Sequence, residues 1–473
     1  MPNPFNLSKE EMRKLGYNVI DKLVDHLDEL RSKSPITSDS RRNMDERLTE
    51  ELPAKGMKPE KVFDHIIKNI LTYSNYLNHP KYFGYVPSPS NYVSAMADTL
   101  ATGFNTFTGG WSISSGPAET EIITINWLLE LFGLPVKWGG GTYTSGGSMA
   151  NLTALVTARY IKCGDDFTKA VLYTSDQTHS SVRRGARVVG FQEDQLRLIP
   201  TNEFFQIRLD LLEESIIKDK KEGKQPICII GNAGTTNTGS VDDLTQIANL
   251  CEKHALWMHV DAAYGGGAIL SEKGKNLFKG IEKADSITVD PHKWFFQPYE
   301  MGCILVRKHT WLTRTFREEP EYLKGMRGVA DEINFHELGL QLTRRFRALK
   351  LYASFKTFGV NAFQKAISYN IDLIEELQLH LEKNTNWEII SPATLAVINF
   401  RYRPKGLLEK ELDELNESIS DILLKEREAV ILTTKLNEKL VLRICSTNPS
   451  TTLQDLIESV DRCAEIGQSL INK

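Results

Sequence analysis

Four short segments carry side chains whose types and setting suit covalent chemistry on a carbonyl compound. In Asp290-Pro-His-Lys-Trp294, Lys293 stands on a loop just past the apolar run Ser286–Val289. Partial burial at such a loop penalises an ammonium, lowers the lysine pKa and frees a neutral amine to form an imine. In His259-Val-Asp-Ala-Ala-Tyr264, Asp261 ends another apolar run and is followed by small residues that leave room for a flat ligand. A carboxylate there can pair with a ring nitrogen and keep it protonated, although an isolated strand-end aspartate more often caps a helix or shapes a loop. Ser175-Asp-Gln-Thr-His-Ser-Ser181 presents His179 either as a general acid–base or as a flat ring for stacking; the plainer alternative is a histidine bonded to a loop carbonyl. Thr144-Ser-Gly-Gly-Ser-Met-Ala-Asn151 leads a Gly-rich turn into a helix bearing Leu152, Leu155 and Val156. Backbone N–H groups at such a helix start, with Gly146 and Gly147 allowing close approach, would form an anion site that fits a phosphate, though glycines before a helix can simply shape the turn.

Those segments must be held by a sheet. The runs Ala170–Tyr173, Ile227–Ile230, Leu256–Val260, Ser286–Val289 and Cys303–Val306 are nearly continuous in apolar residues. Between two of them Leu244, Ile247, Leu250 and His254 mark one helix face. This alternation predicts an α/β fold with a mostly parallel sheet covered by helices, whose ligand crevice lies at the carboxyl ends of the strands. Upstream, Ser8-Lys-Glu-Glu11 reads as a capping box for a helix whose stripe is Met12, Leu15, Val19, Leu23, Leu27 and Leu30. A second helical pattern carries Val62, Ile66, Ile67 and Ile70. The stripe lacks a partner of its own size and should pack on another domain or subunit, so residues 1–85 read as a helical layer for such packing, as in dimerisation, 86–361 as the large ligand-binding domain and 362–473 as a smaller α+β domain. In that last part, Trp387–Ile390, Leu395–Phe400, Ala429–Leu432 and Leu440–Ile444 read as strands, with helices around Leu412–Leu424 and from Thr452.

Composition narrows the function class. A chain of 473 residues with 41% hydrophobic residues folds by ordinary burial, which excludes disordered and fibrous classes. Lys and Arg number 57 against 61 Asp and Glu, and no long basic run is present, so nucleic acid is not an expected partner. No apolar run approaches the length of a membrane span and no signal-like segment opens the chain, so the expected location is the cytoplasm without membrane association. Cysteines 163, 228, 251, 303, 445 and 463 are too scattered for a redox or zinc motif and are expected to be reduced. His254 and His259 straddle a helix–strand boundary, so no metal site is expected.

The segments around His179, Asp261 and Lys293, in this order, resemble the group II pyridoxal-phosphate-dependent amino-acid decarboxylases, closest to the aromatic L-amino-acid decarboxylases. The likeness extends through His79-Pro-Lys-Tyr-Phe83, Gly116-Pro-Ala-Glu-Thr-Glu121, Arg344-Arg-Phe-Arg-Ala-Leu-Lys350 and Val441-Leu-Arg-Ile-Cys445, nearly the whole chain. It implies a fold type I enzyme with a seven-stranded-type sheet, built as a homodimer with the active site between subunits. By the same resemblance Lys293 carries pyridoxal 5'-phosphate, Asp261 pairs with its pyridinium nitrogen and His179 stacks on its ring. Gly147 and Ser148 lie at its phosphate, with Thr236, Asp290 and His292 also around it. Substrate contacts are expected from Tyr82, Phe83, Pro87 and Ser88, with Trp111 arriving from the other subunit; aromatic lining favours an aromatic or apolar amino acid.

Two positions depart from the family pattern. Asp290 stands where the aromatic decarboxylases usually have Asn, which puts an anion near the phosphate. Phe335, counted back from Arg344-Arg345-Phe346-Arg347, occupies the place of the mobile-loop tyrosine that donates a proton after decarboxylation. Tyr322, His336 or a water could replace that donor, and His179 could relay a proton. The implied activity is decarboxylation of an L-amino acid to amine and carbon dioxide. The alternatives are oxygen-dependent conversion to an aldehyde, as in plant relatives with Phe at this position, and decarboxylation of an acidic amino acid, for which no basic residue is evidently committed. A non-catalytic member of the fold is opposed by the intact Lys293, Asp261 and His179.

Overall fold

The computed structural model describes residues 3, 5–87, 89–318, 321 and 332–472. Seven segments join in one sheet: β1 (Gly140–Thr144), β2 (Ala170–Ser175), β3 (Leu196–Ile199), β4 (Gln225–Asn232), β5 (Trp257–Asp261), β6 (Ser286–Val289) and β7 (Gly302–Val306). Their order is β1-β7-β6-β5-β4-β2-β3. β3, β2, β4, β5 and β6 run parallel, and β7 lies antiparallel between β6 and β1. Every residue of β2, β5, β6 and β7 is buried, because helices cover both faces, and this is why those runs show no polar alternation. β1 and β3, Gly-Gly-Thr-Tyr-Thr and Leu-Arg-Leu-Ile, have no such run; neighbouring strands recruit them. At β1 a Cβ on Gly141 would lie 2.3 Å from the Ile304 carbonyl oxygen, so only glycine lets the two backbones approach.

A second, antiparallel sheet contains β8 (Trp387–Thr394), β9 (Val397–Tyr402), β10 (Leu432–Leu436) and β11 (Lys439–Cys445), in the order β10-β11-β9-β8. The expected strand Ala429–Leu432 divides in two. Sheet pairing begins only at Leu432, while Val430 bonds to the segment after the N-terminal helices, accepting from Phe83 N–H and donating to Lys81 O, both at 3.0 Å.

The N-terminal helix Lys9–Asp28 starts with the expected capping box: Glu11 N–H donates to Ser8 Oγ (3.2 Å) and Ser8 N–H donates to Glu11 Oε2 (2.8 Å). No residue of this helix is buried within the chain, and Met12 and Val24 remain exposed. Its partners here are the helix Pro59–Asn69, through Lys22 and Asp64 at 3.1 Å, and, just beyond its end, Asp455 of the last helix, reached by Arg31 at 3.0 Å. Among the described residues no helix is long and apolar enough to cross a membrane, and no group of three or more His, Cys, Asp or Glu could hold a metal ion. All six cysteines are free thiols, five of them buried.

Candidate active site

The carboxyl ends of β4, β5 and β6 face the start of the helix Gly147–Cys163 across a cavity of about 470 Å³. Open α/β sheets present such a crevice because strand ends and helix starts meet there. Lys293, Asp261, His179, Asp290, His292, Thr236, Gly147 and Ser148 all line it. The structure thus brings together eight of the residues singled out from the sequence.

Lys293 has a side chain 22% exposed, with Nζ 3.1 Å from Asp290 Oδ2. Burial pushes its pKa down as the sequence suggested, but the carboxylates of Asp290 and Asp261 outweigh that and hold the ammonium above its usual range. The amine therefore rests in its charged form, opposite to the expectation from the loop alone. Asp290 is buried, its Oδ2 pairs with Lys293 and its Oδ1 has no hydrogen-bond partner. A Cβ on Gly147 would lie 2.8 Å from Asp290 Oδ2 and 3.0 Å from the Ala263 Cβ, so glycine is what allows this carboxylate and the helix start to share the space.

At the last position of β5, Asp261 accepts from Ala263 N–H through Oδ1 (3.1 Å) and from Asn151 Nδ2 through Oδ2 (2.8 Å). His179 precedes the helix Ser180–Val189 and its Nδ1 accepts the Ser181 N–H at 3.2 Å. Because that N–H can only donate, Nδ1 is unprotonated and a neutral ring carries its proton on Nε2. Desolvation holds the imidazole below its usual range, with Asp261 opposing. His292 Nδ1 likewise accepts from Met301 N–H (3.0 Å), and burial lowers its pKa too. The carbonyl of Thr236 is held by Arg443, whose guanidinium also reaches the carbonyls of Asn237 and Tyr85. This arginine, from the Val441-Leu-Arg-Ile-Cys445 motif, ties the smaller sheet to the cavity wall.

The expected substrate contacts lie elsewhere in the chain. Tyr82 and Phe83 are buried beside Val430, Cys445 N–H donates to the Phe83 carbonyl (3.1 Å), and Thr447 Oγ1 donates to the Pro87 carbonyl (2.9 Å). None of the three lines the cavity. Trp111, half-buried, donates its backbone N–H to Asn334 Oδ1 at 3.0 Å. Phe335 is buried with its ring 5.0 Å from the Arg344 guanidinium, and His336 Nδ1 is committed to the Gly109 carbonyl at 2.8 Å. Trp111 and Phe335 therefore share one segment pair outside this chain's own cavity. Ser88 and Tyr322 lie outside the described residues.

Sequence reasoning missed Asn151, Ser181 and Asn232, which also line the cavity. Asn151 is four residues after Gly147 and so returns to the same helix face. Asn232 is in register with Asp261, so the strand-end rule that marked the aspartate applies equally to it.

An amine set for an aldehyde, a carboxylate across the cavity, an imidazole face and a glycine-lined helix start together match a flat pyridine aldehyde with a phosphate arm. Comparison with known proteins agrees. The model of the pyridoxal-dependent decarboxylase conserved domain matches residues 42–403. The aromatic-L-amino-acid decarboxylase of Bacillus atrophaeus is 44% identical over 97% of this chain and 96% of its own length. The phenylacetaldehyde synthase of Arabidopsis thaliana is 26% identical over 99% and 98%. The crystal structure of Catharanthus roseus tryptophan decarboxylase in complex with L-tryptophan superposes with a TM-score of 0.91 at 25% identity, covering 99% of this chain and 100% of that one. The chain belongs to the pyridoxal-dependent decarboxylase family, as a pyridoxal-phosphate-dependent carboxy-lyase of amino acids.

Proposed function

We propose that this protein decarboxylates aromatic L-amino acids to the corresponding amines, with Lys293, Asp261 and His179 as its working residues. The observation that carries this reading is their convergence with the Gly147 helix start on one cavity, in a chain 44% identical to a decarboxylase named for aromatic substrates. Pyridoxal phosphate supplies an electron sink for the pair released when the Cα–carboxylate bond breaks. Lys293 would hold the cofactor at its aldehyde carbon. Asp261, a strand-end carboxylate with both oxygens held, keeps a proton on the ring nitrogen. His179 lays a neutral ring against the ligand, and the helix start at Gly147 and Ser148 receives the phosphate. The test is product analysis across the common L-amino acids: release of carbon dioxide from aromatic substrates supports the reading, and a preference for acidic ones overturns it.

We further read the protein as a cytoplasmic homodimer. The unburied stripe of the helix Lys9–Asp28 supports this, as does Trp111, which is only half-buried and lies away from its own chain's cavity. The reduced, mostly buried thiols fit the compartment. Sedimentation at working concentration should show a dimer, and a catalytically competent monomer would refute it.

Phe335 favours a second reading, oxygen-dependent aldehyde formation. After carbon dioxide leaves, Cα must be protonated to give the amine, and a phenyl ring has no proton to give. With oxygen and water consumed, the same carbon can leave as an aldehyde, with ammonia and hydrogen peroxide released alongside carbon dioxide. Wild type should yield measurable aldehyde beside amine, and Phe335→Tyr should raise the amine-to-aldehyde ratio by roughly tenfold or more, the scale of a positioned general acid. Equal ratios in the two proteins would show that this position does not control protonation. Amine alone under oxygen would remove the second reading.

A further inference from the structure

Behind the cavity wall lies a chain of buried polar side chains in which every proton can be assigned. Asp261 accepts at both oxygens, from Ala263 N–H through Oδ1 and from the Asn151 amide nitrogen 2.8 Å from its Oδ2. The amide oxygen then faces His259 Nε2 at 3.0 Å, which must carry a proton. Burial holds His259 down at about 4, so its ring is neutral and Nδ1 is bare. Nδ1 therefore accepts the hydroxyl proton of Ser286, 2.8 Å away, and Ser286 Oγ in turn accepts from Trp257 Nε1–H at 2.8 Å. In the other direction, the second proton on Asn151 Nδ2 reaches Ser181 Oγ at 3.0 Å. The Ser181 hydroxyl is then free to donate to His179 Nδ1 at 2.8 Å. Asn151, His259, Ser286, Trp257 and Ser181 are all buried, so water cannot replace these bonds cheaply.

We propose that Asn151 is a positioning residue that sets both working groups at once, orienting the Asp261 carboxylate with one amide proton and, with the other, turning the Ser181 hydroxyl so that it donates to His179 Nδ1 and holds that ring in place. This rests on the reading that Asp261 meets the ring nitrogen of the cofactor and His179 its face. His259, Ser286 and Trp257 keep the amide from flipping. A flip would set the amide oxygen against Asp261, two acceptors face to face.

Two variants separate charge from shape. Asn151→Ala removes both donors. Asn151→Asp keeps the shape and the acceptor toward His259 but turns a carboxylate against Asp261. Affinity for pyridoxal phosphate, titrated on apoprotein by tryptophan fluorescence, should weaken about tenfold in Asn151→Ala, the scale of a lost hydrogen bond to a charged group. Asn151→Asp should bind more weakly still, and the visible absorption band of both holoproteins should shift from that of wild type. With an aromatic substrate, kcat should fall about tenfold while KM changes less than about threefold, because these residues hold the cofactor and not the side-chain pocket. Asn151→Asp within twofold of wild type in affinity and spectrum would overturn the proposal, since shape alone would then suffice. Failure of both variants to accumulate as folded protein would also overturn it, by making Asn151 a folding residue. Failure of the wild type to bind the cofactor would instead refute the reading beneath it.

Discussion

Lys293→Ala should lose activity by about a thousandfold or more, because one side chain serves both as covalent anchor and as the amine nearest the reacting carbon. In wild type, borohydride should fix the visible chromophore to Lys293; in the variant, cofactor should wash out on dialysis. The informative rival is Lys350. It is fully buried, and burial lowers its pKa to about 8, so by acidity alone it would be the better nucleophile. Geometry decides against it. Its Nζ donates to the carbonyls of Pro298 and Glu300, each at 3.0 Å, and it does not line the cavity. Lys293 has the higher pKa because Asp290 and Asp261 face it and outweigh its burial. Label on Lys350, or full turnover by Lys293→Ala, would refute the assignment.

Asp261→Asn should reduce kcat by about a hundredfold to a thousandfold, the cost of removing one preorganised electrostatic group from a buried site. The cofactor should still be fixed to Lys293 by borohydride, because Asp261 acts at the ring nitrogen and not at the aldehyde. The amide also presents an NH₂ group where the carboxylate accepted from Asn151 and Ala263, so one of those bonds is lost or reversed. A kcat within about fivefold of wild type would mean that protonation of the ring nitrogen is not what this carboxylate supports.

Both predictions rest on residues legible in the chain, and the reason is local. Lys293 and His179 each follow a buried strand within a few residues, Asp261 ends one, and Gly147 opens a helix directly after β1, so each residue's position is set by its own neighbours. The capping box at Ser8 and the buried runs of β2, β4, β5, β6 and β7 are readable for the same reason: periodicity and capping depend on adjacent residues. Other features needed the folded chain. β1 and β3 are strands because distant strands pair with them, not because their side chains ask for it. The direction of the Lys293 pKa depends first on Asp290, three residues before it, and then on Asp261, which β5 brings alongside from a separate segment. Asn151 acquires its role only where its helix face, β5 and the start of the helix Ser180–Val189 meet. Tyr82 and Phe83 pack beside Val430 and β11, and Phe335 lies against Arg344, through contacts between segments far apart in the chain that residue types alone do not reveal. Sequence by itself determined the chemistry available to this protein, since that follows from residue types at strand ends. Tertiary structure decided the charge state, the supporting hydrogen bonds and the residues left to face a partner, because each depends on which distant segments share one low-dielectric space.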